Sequence, residues 1–227
     1  MHTTKKWLGV AIGICLLTVS SGYATEVVAM GDSMMRTVAR VMRRDMRQRG
    51  INVESAVTIG SGLARLDLFD WHAEAQSVMK KHKAATVVVM MGANDNQPMR
   101  TSAGVVPFNT PAWEMEYGRR VGQFMDLLLA GGAKRVIWLG LPCMREPDLN
   151  RDVTQMSRIV AQQAEARPSV VYFSTKPIFC QEDGSYSSYV TLPNGMPLEA
   201  RAEDGIHLSR QGAEHLAGIL AAEFFAK

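Results

Sequence analysis

From Glu26 onward, short apolar runs alternate with longer segments in which apolar positions recur every three or four residues. Glu26–Met30 (EVVAM) reads as a first strand, and Ser33–Arg49 as a helix with Val38, Val41, Met42 and Met46 on one face. Gly50 ends that helix. Val53–Thr58 reads as a second strand, Trp71–Lys83 as a helix, and Thr86–Met91 (TVVVMM) as a third strand. The third strand has no polar alternation, the pattern of a strand covered on both faces. Trp113–Ala130 is a long helix closed by Gly131-Gly132, followed by a strand at Arg135–Leu139, a helix at Asp152–Ala166, a strand at Ser169–Phe173 and a terminal helix at Ser209–Phe225. This alternation predicts an α/β fold, a parallel five-stranded sheet with helices on both faces joined by right-handed crossovers. Two long connections, Asn96–Ala112 and Ser174–Glu203, remain, and long loops in a compact domain commonly wall a site.

Ahead of this pattern, Lys5 and Lys6 precede an apolar run from Trp7 to Val19 and the small-residue stretch Gly22-Tyr23-Ala24. The arrangement predicts a secretory signal peptide over residues 1–24 and a single domain over 25–227. The run is short for a membrane span, so no stable membrane insertion is expected after cleavage. The domain would then be exported, to the periplasm or the medium, with Cys143 and Cys180 either bridged or left as two buried thiols.

Composition narrows the classes further. Hydrophobic residues make up 47% and charged residues 21%, as in an ordinary globular chain. Without Lys5 and Lys6, 23 basic residues face 22 acidic ones, which gives no electrostatic reason for a nucleic-acid partner. The arginines of the first helix (Arg36, Arg40, Arg43, Arg44, Arg47, Arg49) read as its solvated face, and the methionines between Met30 and Met42 and at Met90-Met91 as core. His72, His82, His207 and His215 stand in no metal-ligand spacing, so neither metal nor other cofactor is expected.

Candidate chemistry gathers at strand ends. Gly31-Asp32-Ser33 stands where the first strand gives way to the first helix, so the Ser33 hydroxyl lies beside unpaired N–H groups; Asp32 or Ser33 equally suits a helix cap. The third strand ends in Gly92-Ala93-Asn94-Asp95, which puts a carboxamide donor, or simply a turn former, at the same sheet edge. Before the last helix comes Asp204-Gly205-Ile206-His207, whose spacing lets a carboxylate fold back onto an imidazole. A serine is a weak nucleophile and needs such an oriented base.

These blocks, with a glycine after the second strand, resemble the SGNH or GDSL hydrolase superfamily over essentially the whole domain. The resemblance implies a flavodoxin-like three-layer α/β/α sandwich of strand order 2-1-3-4-5, with the site above the strand ends. It implies Ser33 as nucleophile, His207 as general base and acid, and Asp204 as the group that orients His207. The oxyanion hole would combine the Ser33 N–H, the Gly62 N–H and the Asn94 side chain, with Gly60 as the alternative to Gly62. Gly62-Leu63-Ala64-Arg65, Asp70-Trp71 and Gly140-Leu141-Pro142 look like an exported bacterial branch of the family.

The activity so implied is acyl-ester cleavage through a serine ester; export favours small ester groups on a small molecule or an envelope or extracellular glycan, and the lack of a long apolar stretch in either loop favours acetyl-type groups. An O-acyltransferase with the same site, and a catalytically silent glycan-binding or assembly protein, are the competing readings. The loops add an expectation of their own: Met99, Val105, Val106, Phe108 and Trp113 on one side, and Tyr186, Tyr189 and Asn194 on the other, would wall the site.

Overall fold

The structure is a computed structural model that describes residues 25–226; the leader read at 1–24 lies outside the described residues. The elements run β1 (Thr25–Gly31), α1 (Ser33–Arg47), β2 (Ile51–Val57), α2 (Trp71–His82), β3 (Thr86–Met90), β4 (Met99–Thr101), β5 (Gly104–Val106), α3 (Pro111–Ala130), β6 (Arg135–Leu139), α4 (Pro147–Glu165), β7 (Val170–Phe173), α5 (Lys176–Phe179), β8 (Tyr189–Thr191), β9 (Pro197–Glu199) and α6 (Arg210–Phe224). The five main strands form one parallel sheet in the order β2-β1-β3-β6-β7, the expected flavodoxin-like order once the two hairpins are set aside.

Crossover handedness explains the layers. Because β1 lies between β2 and β3, the crossover through α1 covers one face of the sheet, and those through α2, α3 and α4 cover the other. Accordingly α1 packs on α6, whereas α2 packs on α3 and α3 on α4. The central strand β3 is buried at every position from Thr86 to Met90. Met30, Met34, Met35, Met42, Met90 and Met91 are all core residues, as the sequence pattern suggests.

Three details differ from the sequence reading. The fourth helix begins at Pro147 rather than Asp152, because proline at the first turn has no N–H to lose and its φ suits a helix start, a signal that apolar periodicity does not carry. The long connections contain the antiparallel hairpins β4–β5 and β8–β9, whose three-residue strands are too short to register as alternation. Met99 and Trp113 do not wall a site: both are fully buried, with the Trp113 indole N–H donating to the Gln97 carbonyl and its ring stacked on Tyr117.

The two cysteines form a disulfide, Cα atoms 5.7 Å apart and 37 residues apart in sequence, tying the connection after β6 to the one after α5.

Candidate active site

The site is assembled at the C-terminal edge of the sheet from three connections. In the first, Asp32 is the N-cap of α1: its Oδ1 accepts from the Met34 N–H at 2.8 Å. Ser33 is then the first helical residue, with no intrahelical partner for its N–H and with its side chain half-buried. Asp32 also reaches across the sheet edge, where its Oδ2 accepts from the Gly92 N–H at 2.9 Å and from Asn94 Nδ2 at 3.3 Å. Complete burial, only partly offset by these bonds, pushes its pKa up to about 7.

The second connection follows β3. Asn94 Nδ2 donates at 3.0 Å to the Ser61 carbonyl, which locks the turn after β2 against the turn after β3. Asp95, also buried, accepts from the Leu63 and Ala64 N–H groups at 3.1 and 2.8 Å and from the Tyr117 hydroxyl at 2.9 Å. Burial holds its carboxyl above the usual carboxylate range and the Tyr117 phenol well above its own. From the far side Arg120 donates to the Leu63 and Ala64 carbonyls at 3.0 and 2.9 Å, so both edges of the turn after β2 are satisfied. Gly62 is buried where a Cβ would collide with the Asp95 carboxylate, and its N–H has no partner among the described residues. Gly60 is exposed, at φ +72°, with nothing within 4 Å of the position a Cβ would take. Of the two glycines, the buried one adjoins Asn94.

The third connection carries the acid and the imidazole. Asp204 Oδ1 accepts from the Ile206 and His207 N–H groups at 2.8 and 2.9 Å, which closes a tight turn. Its Oδ2 lies 2.6 Å from His207 Nδ1, and His207 Nε2 lies 2.8 Å from Ser33 Oγ. A carboxylate only accepts, so Nδ1 carries the proton and Nε2 is left to accept from the serine hydroxyl. Partial burial works against ionisation of Asp204, but hydrogen bonds from the His207 ring and from the His207 and Ile206 N–H groups outweigh it and bring the pKa down to about 2.

Sequence reasoning does not reveal what holds this third connection. Arg201 is 2% exposed and ties it to the disulfide-bearing segment: Nη1 donates to the Cys143 carbonyl at 2.5 Å, Nη2 to the Ile206 carbonyl at 2.8 Å, and Nε to the His207 carbonyl at 3.4 Å. All three acceptors are neutral, and burial lowers the guanidinium pKa to about 10. Its guanidinium carbon lies 4.9 Å from the Tyr186 ring centroid, and that of Arg145 lies 5.2 Å from the same centroid. Tyr186 therefore stacks on arginines rather than offering its ring to a sugar, which corrects the sequence expectation. Tyr189 is 55% exposed, and Asn194 spends its side-chain oxygen within its own turn on the Met196 N–H.

The sequence matches, over residues 26–223, a family described as a protein of unknown function (DUF459). The chain belongs to the DUF459 family. No curated protein matches it. Solved structures do match this DUF459 domain. A proposed SGNH hydrolase from Slackia heliotrinireducens is 18% identical, with a TM-score of 0.59 over 89% of this chain and 100% of that one. A catalytic mutant of an acetylxylan esterase from Geobacillus stearothermophilus is 18% identical, with a TM-score of 0.57 over 89% of this chain and 95% of that one. A salicylyl-acyltransferase from a tetracycline biosynthetic pathway is 12% identical, with a TM-score of 0.54 over 90% of this chain and 56% of that one. At these identities the likeness is one of fold, a three-layer α/β/α sandwich on a parallel sheet of order β2-β1-β3-β6-β7. Among the described residues no group of three or more His, Cys, Asp or Glu side chains is placed to hold a metal ion, and no helix is long and apolar enough to cross a membrane.

Proposed function

We propose that this DUF459 protein is an exported serine esterase that removes short acyl groups, of acetyl type, from envelope or extracellular carbohydrate. The observation that carries the reading is the chain of contacts from Asp204 Oδ2 through the His207 ring to Ser33 Oγ, at 2.6 and 2.8 Å. A serine within hydrogen-bond reach of an imidazole that is itself oriented by a carboxylate is equipped for acyl transfer.

His207 Nε2 takes the Ser33 proton as Oγ attacks the ester carbonyl, and Asp204 stabilises the imidazolium. The tetrahedral oxygen is met by the Ser33 and Gly62 N–H groups and by Asn94 Nδ2. Asn94 has one firm partner in Ser61 O at 3.0 Å and a weaker one in Asp32 at 3.3 Å, so the second N–H is the one that turns to the oxyanion. His207 returns the proton to the leaving alcohol. Water, activated by the same ring, then attacks the acyl-serine and releases the acid. The half-buried imidazole and exposed Asp204 leave room for a sugar hydroxyl to replace water, which is the transferase outcome of the same chemistry.

The test is release of p-nitrophenol from p-nitrophenyl acetate, and of acetate from acetylated oligosaccharide, by purified protein and by Ser33→Ala. Turnover abolished by Ser33→Ala supports the esterase; equal rates in the two proteins overturn it. Mass spectrometry of an added acceptor oligosaccharide separates hydrolysis from transfer.

A further inference from the structure

Several of the chain's arginines are neutralised by acids: Arg44 by Asp45 and Glu214, Arg65 by Asp67, Arg119 by Glu116 and Arg167 by Asp126. Arg145 is held differently. It is exposed, and its partners are neutral: Nη1 donates to the Glu203 backbone carbonyl at 2.7 Å and Nη2 to the Tyr186 hydroxyl at 3.3 Å, while its backbone N–H donates to the Gly205 carbonyl at 3.0 Å. Its stem occupies the space left by Gly205, where a Cβ would collide with it. A long side chain fixed along its length has already lost the rotamer freedom that binding normally takes away. A guanidinium has five N–H donors, so most of this fork still lacks a partner among the described residues.

The fork sits at the rim of the site, because Gly205 lies between Asp204 and His207. Beneath the same Tyr186 ring is the buried Arg201 cation, also bonded only to neutral acceptors. Of the nearby acids, Asp204 is committed to His207, and the exposed Glu203 and Glu146 side chains make no ion pair with Arg145 or Arg201 among the described residues. On α1, Arg36 stands one turn after Ser33 on the same helix face, exposed and without an acid partner among the described residues. Arg145 and Arg36 are thus two arginines near the Ser33–His207 pair that no carboxylate pairs with among the described residues, although the domain's net charge is close to balanced.

We propose that Arg145, assisted by Arg36, anchors an anionic group of the substrate, a carboxylate or phosphate next to the acyl ester, so that the substrates are short acyl esters of acidic glycans. The planar fork suits either anion by paired hydrogen bonds. This inference rests on the esterase reading and names its substrate class.

Two measurements test it. In the first, calorimetry follows binding of oligogalacturonate, glycerol phosphate and uncharged xylo-oligosaccharide to the unmodified domain, Arg145→Gln, Arg145→Lys and Arg36→Gln. The acidic probe is expected to bind at least about tenfold more tightly than the neutral one, the scale of one charge-assisted pair, and to lose about tenfold in Arg145→Gln with part kept in Arg145→Lys. Which acidic probe binds identifies the anion. In the second, the ratio of kcat/KM for 4-acetoxybenzoate to that for 4-acetoxybenzamide is expected to fall about tenfold in Arg145→Gln, through KM. Equal binding of acidic and neutral saccharides, or a ratio unmoved by Arg145→Gln, overturns the proposal. If neither ester is turned over by the unmodified protein, the esterase reading fails, and the binding series still decides the anion anchor.

Discussion

His207 Nε2 lies 2.8 Å from Ser33 Oγ, although 174 residues separate the two in the chain. Nothing local favours that contact. It exists because α1 and α6 pack side by side on one face of the sheet, each opening at the same edge. If the pair works as nucleophile and base, Ser33→Ala and His207→Ala should each cut kcat/KM for p-nitrophenyl acetate by at least about 10⁴-fold. Circular dichroism and thermal melting should be nearly unchanged, since both side chains are only half-buried.

Asn94 should matter on a different scale. Replacing it by alanine removes one oxyanion donor, which costs about 2.7–4 kcal/mol of barrier, and also releases the Ser61 carbonyl that it holds. Steady-state kinetics should place the loss in kcat with KM nearly constant. Full activity in Asn94→Ala beside a dead Ser33→Ala would leave the nucleophile standing and remove the oxyanion assignment.

Arg201→Met should lower kcat by disordering His207. Its carbonyl partners at Cys143 and Ile206 would lose their donors, at about 1–3 kcal/mol for each buried group. Arg201→Lys keeps the charge but not the fork and should recover part of the rate. Equal activity of Arg201→Met and the unmodified protein would show that His207 is held without it.

The pH dependence of stability has a definite sign. Burial raises the Asp32 pKa from 3.8 to about 7 in the folded state, so its contribution is fully present below pH 3.8 and is lost as pH rises through 7. Asp204 works in the opposite sense lower down: with a pKa near 2, its contribution is present above pH 3.8 and is lost as pH falls toward 2. Urea titrations between pH 4 and 8 should give a decline that is shallower in Asp32→Asn. An identical slope in the variant would place the decline elsewhere.

The disulfide should be worth about 4 kcal/mol on the chain-entropy argument for a separation of 37 residues. Replacing Cys143 and Cys180 together by serine and measuring urea unfolding checks the figure. Because Arg201 bonds the Cys143 carbonyl, kcat should fall along with the unfolding midpoint. A change in stability with no change in kcat would separate the bridge from the site.

Ser33, Asn94, Asp204 and His207, which the structure gathers at one edge of the sheet, are legible as candidates in the sequence because each sits at an element boundary, where a strand run stops or a helix starts, and short motifs there report local geometry. The alternation implies the parallel sheet, and the motif resemblance implies its strand order. The supporting groups were silent because their roles depend on burial: Asp95, Arg120 and Arg201 look like ordinary surface charges until tertiary packing takes their solvent away. Trp113 and Met99 are silent for the same reason: Trp113 sits on the first turn of α3 and Met99 opens the β4–β5 hairpin, and only packing turns both into the core. Asp32 did appear as a helix cap, but its second bond, to the Gly92 N–H across the sheet edge, joins segments far apart in the chain.

The side-by-side packing of α1 and α6 also sets when the Ser33–His207 pair comes into being. Ser33 opens α1 and His207 stands just before α6, and strands β2, β3, β6 and β7 must be in register between them. If the pair works as proposed, an incompletely synthesised chain holds Ser33 without His207 beside it and cannot attack esters. Contacts between distant segments form late, so the Ser33–His207 contact is expected with the final docking step. Under the esterase reading, appearance of turnover during refolding would report docking of the last helix.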